Sequence, residues 1–221
     1  LGIIAAGVIL HYLAETEHKQ VGHIATIQRI EEDKFVWLDR FTIRNLELVY
    51  SVQEGGVPLI DLMDQTMTPM GARLLRKWMV LPLKDLAAIQ ERQAGVAGLL
   101  ELDETMDLLI SLLKPIGDLE RLISKVAAGR INPRELVQLK RALQQVPAIK
   151  ELLATHPAPI LQKWADQLNP CLHLVQKIES ALRDDAPMLV HQGGIIKTGY
   201  MSELDELHLL STNGKDYLAA M

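Results

Sequence analysis

The sequence has 221 residues, 48% of them hydrophobic, which is enough to bury the core of one large domain, or of one domain with part of another. Its formal charge of -5 argues against the strongly basic surface of an autonomous nucleic-acid binder, so any DNA contact must be local. The single cysteine, Cys171, excludes a disulfide within the chain; we interpret it as a buried small hydrophobic residue, and it indicates a reducing compartment, the cytoplasm.

Residues 1–38 are predicted to be the end of a preceding domain and a linker. The first residues follow a helical apolar pattern, but the run is too short to span a bilayer and no secretory cleavage pattern accompanies it. Two β-branched and aromatic runs, 23–27 and 34–38, predict a short hairpin or an extended linker. Because the chain starts inside a helical pattern and has no initiator Met, we expect it to be part of a longer polypeptide.

Residues 39–200 are dominated by helix signals. Thr68 and Pro69 predict the start of a helix that Pro82 ends, and Asp85 predicts the cap of the next helix. We therefore predict a mainly α fold, an irregular multi-helix bundle with a minor β-hairpin.

A further helix is predicted to begin at Asn132 and Pro133, and Pro147 is predicted to end it. Its apolar side chains recur at spacings of three and four residues, which places them on one face that should meet the core. This leucine stripe consists of Leu136, Leu139, Leu143 and Val146.

The hairpin is predicted near the C-terminus. Two short apolar runs within residues 188–198 flank Gly193 and Gly194, a pair that is typical of a tight turn. After them, Ser202 and Asp205 resemble a capping box that opens a last helix.

The sequence lacks the short motifs that bind phosphate or metal ions or that supply a nucleophile. It has no G-x-x-x-x-G-K-[ST] loop, no G-x-G-x-x-G turn, no H-E-x-x-H pair and no G-x-S-x-G elbow. We interpret Asp184 and Asp185 as a solvated turn, His156 as a loop residue and His173 as a half-buried helix residue. We therefore predict no catalytic, cofactor-binding or metal-binding residue in this chain.

One local charge feature stands out, and we call it the basic stripe. Between Arg121 and Lys150 the sequence has seven basic residues and a single acidic residue, Glu135. The basic residues are Arg121, Lys125, Arg130, Arg134, Lys140, Arg141 and Lys150. Such a stripe is able to meet DNA phosphate with salt-dependent affinity. The alternative, which we favour, is a solvated face opposite the leucine stripe, complemented by acids such as Asp103, Glu104 and Asp107.

Several stretches have a specific sequence pattern and follow one another in a fixed order. They are Thr42–Leu48, Leu59–Trp78 with Pro82, Gln90–Gln93, Ile116–Arg121, Gly129–Leu136, and Gly193–Tyr200 with Glu203–Glu206. In this order they closely resemble successive landmarks of the core domain of the MutS family of DNA mismatch-repair proteins. The resemblance covers essentially the whole chain.

The resemblance implies a helical core that joins a connector domain to lever helices, which run to a DNA-encircling clamp and return to an ATPase domain. It assigns residues 1–38 to the end of the connector domain and a linker, 39–200 to the helical core, and 201–221 to the start of the lever helix. It further implies a cytoplasmic whole protein, without a membrane partner, that binds mismatched DNA, ATP and Mg²⁺, dimerises, and works with a MutL-type repair partner.

The chemistry that the family performs is expected outside this stretch. The Phe-x-Glu element that reads the mispaired base is missing, because Phe35 and Phe41 are followed two positions later by Trp37 and Ile43. We therefore expect a structural and allosteric lever rather than an enzyme. The alternatives are a free-standing helical protein-interaction scaffold, and the core of a family paralogue in recombination control; residues 1–20, which resemble a connector domain, favour the mismatch-repair type.

Overall fold

The computed structural model describes residues 2–16, 26, 32–101 and 105–219. These residues form eleven α-helices, which are α1 (Gly2–Glu15), α2 (Arg40–Asn45), α3 (Leu59–Met63), α4 (Pro69–Val80), α5 (Leu86–Leu100), α6 (Met106–Leu113), α7 (Leu119–Ala127), α8 (Pro133–Ala154), α9 (Pro159–Gln167), α10 (Leu172–Ala181) and α11 (Ser202–Ala219). Three short 3-10 turns lie at Glu32–Lys34, Lys114–Ile116 and Val190–Gln192. The prediction of a mainly α, multi-helix fold is confirmed.

Local capping chemistry sets the ends of the predicted helices. The Thr68 hydroxyl accepts a hydrogen bond from the Gly71 N–H at 3.1 Å, and Asp85 accepts one from the Ala88 N–H at 2.8 Å. Helix α4 ends at Val80, just before Pro82, as predicted. The caps satisfy backbone donors that have no partner inside the helix.

Helix α8 is the centre of the bundle, because α6, α7, α9, α10 and the 3-10 turn at Lys114–Ile116 all pack against it. The main cluster of buried apolar residues joins α6, α8 and α9, and consists of Leu109, Ile149, Leu153, Ile160, Leu161 and Ala165. In the first half of α8, the predicted core residues Leu139 and Leu143 are also buried. Burial of these faces removes apolar surface from water and holds the short helices together.

The prediction that Pro147 ends its helix is wrong. Helix α8 continues through Pro147 to Ala154. Proline inside a helix removes one hydrogen bond and costs roughly 3 kcal/mol. Ile149 and Leu153, two and six residues further on, are buried against α6 and α9, and their burial offsets this cost.

The predicted hairpin within residues 188–198 does not form. Gly193 and Gly194 do turn the chain, with φ of +69° and +65°. The run before them is a 3-10 turn, and Ile196 instead forms an isolated antiparallel bridge with Leu182. Lys197, the next residue, also pairs with Glu179 on α10, so this segment contacts α10 instead of the run before the glycines.

The predicted extended segment 34–38 is partly confirmed, with a different partner. Phe35 forms a bridge with Leu83, supported by the Val36 N–H donating to the Pro82 carbonyl at 2.8 Å. The other half of the predicted hairpin, 23–27, lies outside the described residues except for Thr26. The described residues contain these isolated bridges and no named strand.

The last helix, α11, begins at Ser202 as predicted, but its cap differs. The Asp205 carboxylate accepts a hydrogen bond at 2.7 Å from the N–H of Gly199, three residues before Ser202. Across the described part of the chain, none of the helices combines the length and the apolar character needed to cross a membrane.

Candidate functional site

The basic stripe divides into inward lysines and outward arginines. Lys125 is paired with Glu135, and the Lys150 Nζ donates to the Leu168 carbonyl at 3.0 Å. Lys140 is buried. The four arginines are exposed; they are Arg121, Arg130, Arg134 and Arg141. The lysines therefore stabilise the bundle, and the arginines present the more exposed charges to solvent.

Acidic groups accompany the exposed arginines. A cleft of about 570 Å³ between the 3-10 turn at Lys114–Ile116, α7 and α8 is lined by Arg121 and Arg141, but also by Asp118 and Glu135. The Lys125 ammonium and the Asn132 N–H lower the pKa of Glu135, which keeps this carboxyl negative. The mixed charge supports the interpretation of the basic stripe as a solvated face. Of the acidic residues expected to complement it, Asp107 is exposed, and residues 103–104 lie outside the described part of the chain.

A second cluster, which sequence patterns did not reveal, surrounds the buried Lys140. Only 3% of Lys140 is exposed, and its Nζ lies 2.5 Å from the Glu179 Oε2 and pairs also with Asp184. The other oxygen of Glu179 is 3.2 Å from the Lys197 Nζ. We call these four residues the charged junction; they tie α8 to α10 and to the segment that follows α10.

The charges of the junction support one another. Burial lowers the pKa of Lys140, but its hydrogen bonds with Asp184 and Glu179 outweigh this effect and the net pKa is raised. Lys140, and then Lys197, lower the pKa of Glu179, and Lys140 lowers that of Asp184. Lys140, Glu179 and Asp184 are therefore charged at neutral pH. The buried Lys140 ammonium holds its two carboxylate partners in place, because the desolvation cost of the charge would not be compensated if they moved away.

Backbone bonds continue the junction towards α11. The Lys197 N–H donates to the Ala181 carbonyl at 2.9 Å, and the Arg183 N–H donates to the Ile195 carbonyl at 2.9 Å. The Gly199 N–H then bonds Asp205 in the first turn of α11. A continuous set of charged and backbone bonds thus runs from the middle of α8 to the start of α11.

A second charged contact joins α4 to the start of α7. The Arg73 guanidinium donates to Asp118 at 2.7 and 3.0 Å and to Glu120 at 2.6 and 3.0 Å. Asp118 also caps α7 by accepting from the Arg121 N–H at 3.2 Å. Arg73 lowers the pKa of Asp118. Both residues lie in stretches that carry the family resemblance, but their contact is not local in sequence.

Helix α5 is held to α4 and α9 by close contacts. The Arg92 guanidinium lies 3.8 Å from the centre of a Trp78 ring, and Lys163 pairs with Glu91 at 2.6 Å. These contacts, with the core around α8, join the central helices into one packed body.

The structure gives the positions of the acidic, histidine and cysteine residues that the sequence analysis interpreted as structural and not catalytic. Asp184 and Asp185 lie in an exposed turn, as predicted, although Asp184 also holds Lys140. His156 is a turn residue but is buried, and its Nδ1 accepts from the Ala158 N–H at 3.1 Å, at the start of α9. His173 lies in α10 but is exposed, not half-buried. Cys171 is half-buried rather than buried, with φ of +49°.

A nucleotide with its magnesium ion needs carboxylate ligands for the metal and a loop that surrounds the phosphates. In the described part of the chain, no group of three or more His, Cys, Asp or Glu residues is placed to hold a metal ion. The whole sequence also lacks the glycine-rich loop that would surround the phosphates.

Comparison with known proteins gives one consistent family. Residues 41–219 match the family model described as MutS domain III. The chain is 58% identical over 217 residues to a protein of Cytophaga hutchinsonii, 50% identical over 217 residues to one of Bacteroides fragilis, and 48% identical over 217 residues to one of Flavobacterium johnsoniae. Each is named DNA mismatch repair protein MutS, and each match covers 98% of this chain and 25% of the relative. The chain thus spans about a quarter of the length of these curated relatives.

Proposed function

The chain belongs to the MutS family, and from that premise we propose that it is the mechanical core of a DNA mismatch-repair protein. In this proposal residues 1–38 close the connector domain and lead into the core, residues 39–200 form the core, and residues 201–221 begin the lever helix towards the DNA clamp. The function of the core is to pass rigid-body motion between distant domains.

The whole protein, on this proposal, binds mismatched DNA and hydrolyses ATP with Mg²⁺ through domains outside this chain. It dimerises, recruits a MutL-type partner and acts in the cytoplasm. The shared name of the relatives supports mismatch repair over recombination control, and the matches to them include the residues before the core. This chain itself contributes no catalytic step.

The charged junction is the observation that carries the proposal. A lever needs a stiff body and a firm attachment to the element it moves. Helix α8 supplies the body, since five neighbouring elements pack against it. The bonds from Lys140 through Glu179 and Lys197 to Gly199 attach α11 to that body. Rotation of the core would therefore turn the start of α11 with it.

The test compares two charge-neutralising changes in the full-length protein. Glu179→Gln keeps the shape of the side chain but removes its ion pairs with Lys140 and Lys197. The matched control is Glu91→Gln, which removes an exposed pair with Lys163 that lies outside the junction. The measurements are ATP affinity without DNA, and the fold-change in lifetime of the mismatch complex when ATP is added.

We expect Glu179→Gln to reduce that fold-change while ATP affinity stays at the wild-type value, and Glu91→Gln to change neither. The change should affect the coupling between ATP binding and release of the mismatch complex, and not ATP binding itself, because on this proposal the contacts with ATP lie in another domain. A wild-type fold-change in Glu179→Gln would show that the junction is a passive support.

A further inference from the structure

A pocket on the outer side of α2 has a composition that the lever proposal does not explain. It lies between α2 and the loop at residues 50–52, has a volume of about 640 Å³, and is lined by side chains that include Arg40, Phe41, Arg44, Tyr50 and Val52. We call it the α2 pocket. Phe41 and Tyr50 are each 72% exposed, although burial of aromatic rings is strongly favourable.

The walls of the pocket are held in place by hydrogen bonds of the chain itself. Asp39 caps α2 by accepting from the Thr42 N–H at 2.6 Å. Glu47 has a positive φ of +48°, and its carboxylate accepts from the Val52 N–H at 3.0 Å. Val49, between the two walls in sequence, is buried. The pocket is therefore formed before any partner arrives, which lowers the entropy cost of binding.

The two charged side chains that line the pocket, Arg40 and Arg44, are both positive, in contrast to the acidic chain as a whole. Arg40 and Arg44 are exposed one helical turn apart, and neither has an ion-pair partner among the residues that the structure describes. The carboxylates of Asp39 and Glu47 are turned to backbone N–H groups, and the exposed Glu54 does not line the pocket. An occupant that supplies carboxylates next to an apolar group would complement this arrangement.

We propose that the α2 pocket is a docking site for an acidic peptide segment of a partner protein, which inserts one apolar or aromatic side chain between two flanking carboxylates. Exposed aromatic and arginine side chains around a concave apolar centre are the residues that dominate binding energy in protein interfaces. A nucleic-acid strand fits less well, because a phosphate backbone needs a run of cations and this pocket offers two.

The probe for this site is a fluorescein-labelled nonapeptide with a central Phe and glutamates at the other positions, titrated into the full 221-residue chain at low salt and followed by fluorescence anisotropy. We expect saturable binding with a Kd of about 100 µM or tighter. Amide shifts in NMR spectra should change for residues 40–52. A second arm uses a single-stranded oligothymidylate of similar charge.

Three single changes on the surface locate the site. Arg44→Glu and Phe41→Ala should each weaken peptide binding by about tenfold, because each removes one of the two kinds of contact. The matched control Arg130→Glu, an equal charge change on an exposed arginine outside the pocket, should leave binding unchanged. Thermal unfolding checks that each variant is folded, and Tyr50→Ala replaces any that is not.

The proposal is overturned by any of three results. The first is no saturable binding of the peptide. The second is equal binding by the wild type and Arg44→Glu, or equal weakening by Arg130→Glu. The third is tighter binding of the oligothymidylate with the same dependence on Arg44 and Phe41, which would make the pocket a nucleic-acid contact. The lever proposal does not depend on these outcomes, since its test reads lifetime coupling through Glu179.

Discussion

Gly95 of α5 lies directly beneath the indole of Trp164 on α9, so closely that no room is left for a Cβ atom. Gly98, one turn further along α5, is closely covered by Ala158 and Leu161, although less tightly than Gly95. These two glycines let the helices approach, and they explain why α5 buries glycines rather than leucines.

Replacing Gly95 with Ala should destabilise the chain. Alanine favours the helix by roughly 1 kcal/mol, but overpacking against Trp164 costs about 1–3 kcal/mol, so we expect a net loss. The measurement is the free energy of unfolding in urea. Gly7→Ala is the control, because a Cβ atom on Gly7 of α1 meets nothing within 4 Å and should not lower stability. Equal stability of the Gly95 variant and the wild type would show that the two helices separate easily.

The charged junction should respond asymmetrically to mutation. Glu179→Gln with Asp184→Asn leaves the buried Lys140 charge without a carboxylate, whereas Lys140→Met removes that charge and leaves two carboxylates that water can reach. Leaving a buried charge unpaired costs about 3–5 kcal/mol, and replacing it with an apolar group is often neutral. We expect the double variant to unfold at a lower urea concentration than Lys140→Met. The reverse order would mean that Lys140 finds water in the folded state.

The junction should also make stability depend on acid. The pKa values of Glu179 and Asp184 are lowered in the folded chain by Lys140. Their contribution is therefore present above the ordinary values of 4.5 and 3.8 and is lost as pH falls through the lower, folded values. Unfolding free energies measured over this acid range should fall less steeply in Lys140→Met than in the wild type. Identical slopes would contradict the pairing.

Leu139 tests whether packing of the leucine stripe transmits motion. Leu139 is buried in α8, and Leu139→Ala should cost on the order of 2–5 kcal/mol. In the full-length protein we expect a smaller ATP-induced change in mismatch-complex lifetime, with ATP affinity preserved. If the variant is destabilised while that change stays at the wild-type value, the helices are a passive scaffold.

The chain alone should neither hydrolyse ATP nor prefer a mismatched duplex, because the sequence contains neither a Walker loop nor a Phe-x-Glu element. Nucleotide turnover, or a preference for mismatched DNA above about tenfold, would contradict this. Any residual DNA binding should fall steeply with salt and depend on the exposed arginines. Arg121→Glu with Arg134→Glu should abolish it, whereas Lys150→Gln, which changes an inward lysine, should not.

Features that depend on neighbours in sequence were predictable. Thr68, Asp85 and Pro82 act within a few residues, so their effects on helix ends follow from local chemistry alone. The continuation of α8 through Pro147 depends on packing by α6 and α9, which are distant in the chain. The proline signal alone therefore gave the wrong end.

The same distinction applies to the candidate site. The basic stripe was visible as a run of charges, but its division was not, because the partners of Lys140 lie 39 and 44 residues away. Likewise, the contact of Arg73 with Asp118 spans 45 residues. An adjacent pair of acids such as Asp184 and Asp185 shows a turn, and nothing local indicates that one of them holds a buried lysine.

Pro147 has one more consequence for α8. Because Pro147 has no N–H, the Leu143 carbonyl has no donor four residues later, so one backbone hydrogen bond of the helix is missing. The part of α8 before Pro147 holds α7 and α10, through Glu135 and Lys140. The part after Pro147 packs on α6 and α9. Helices bend most easily where a backbone hydrogen bond is absent. The missing hydrogen bond therefore lies between the part of α8 that holds α10 and the part that holds α9, so the stiffness of the central helix at this point depends on the packing of its neighbours.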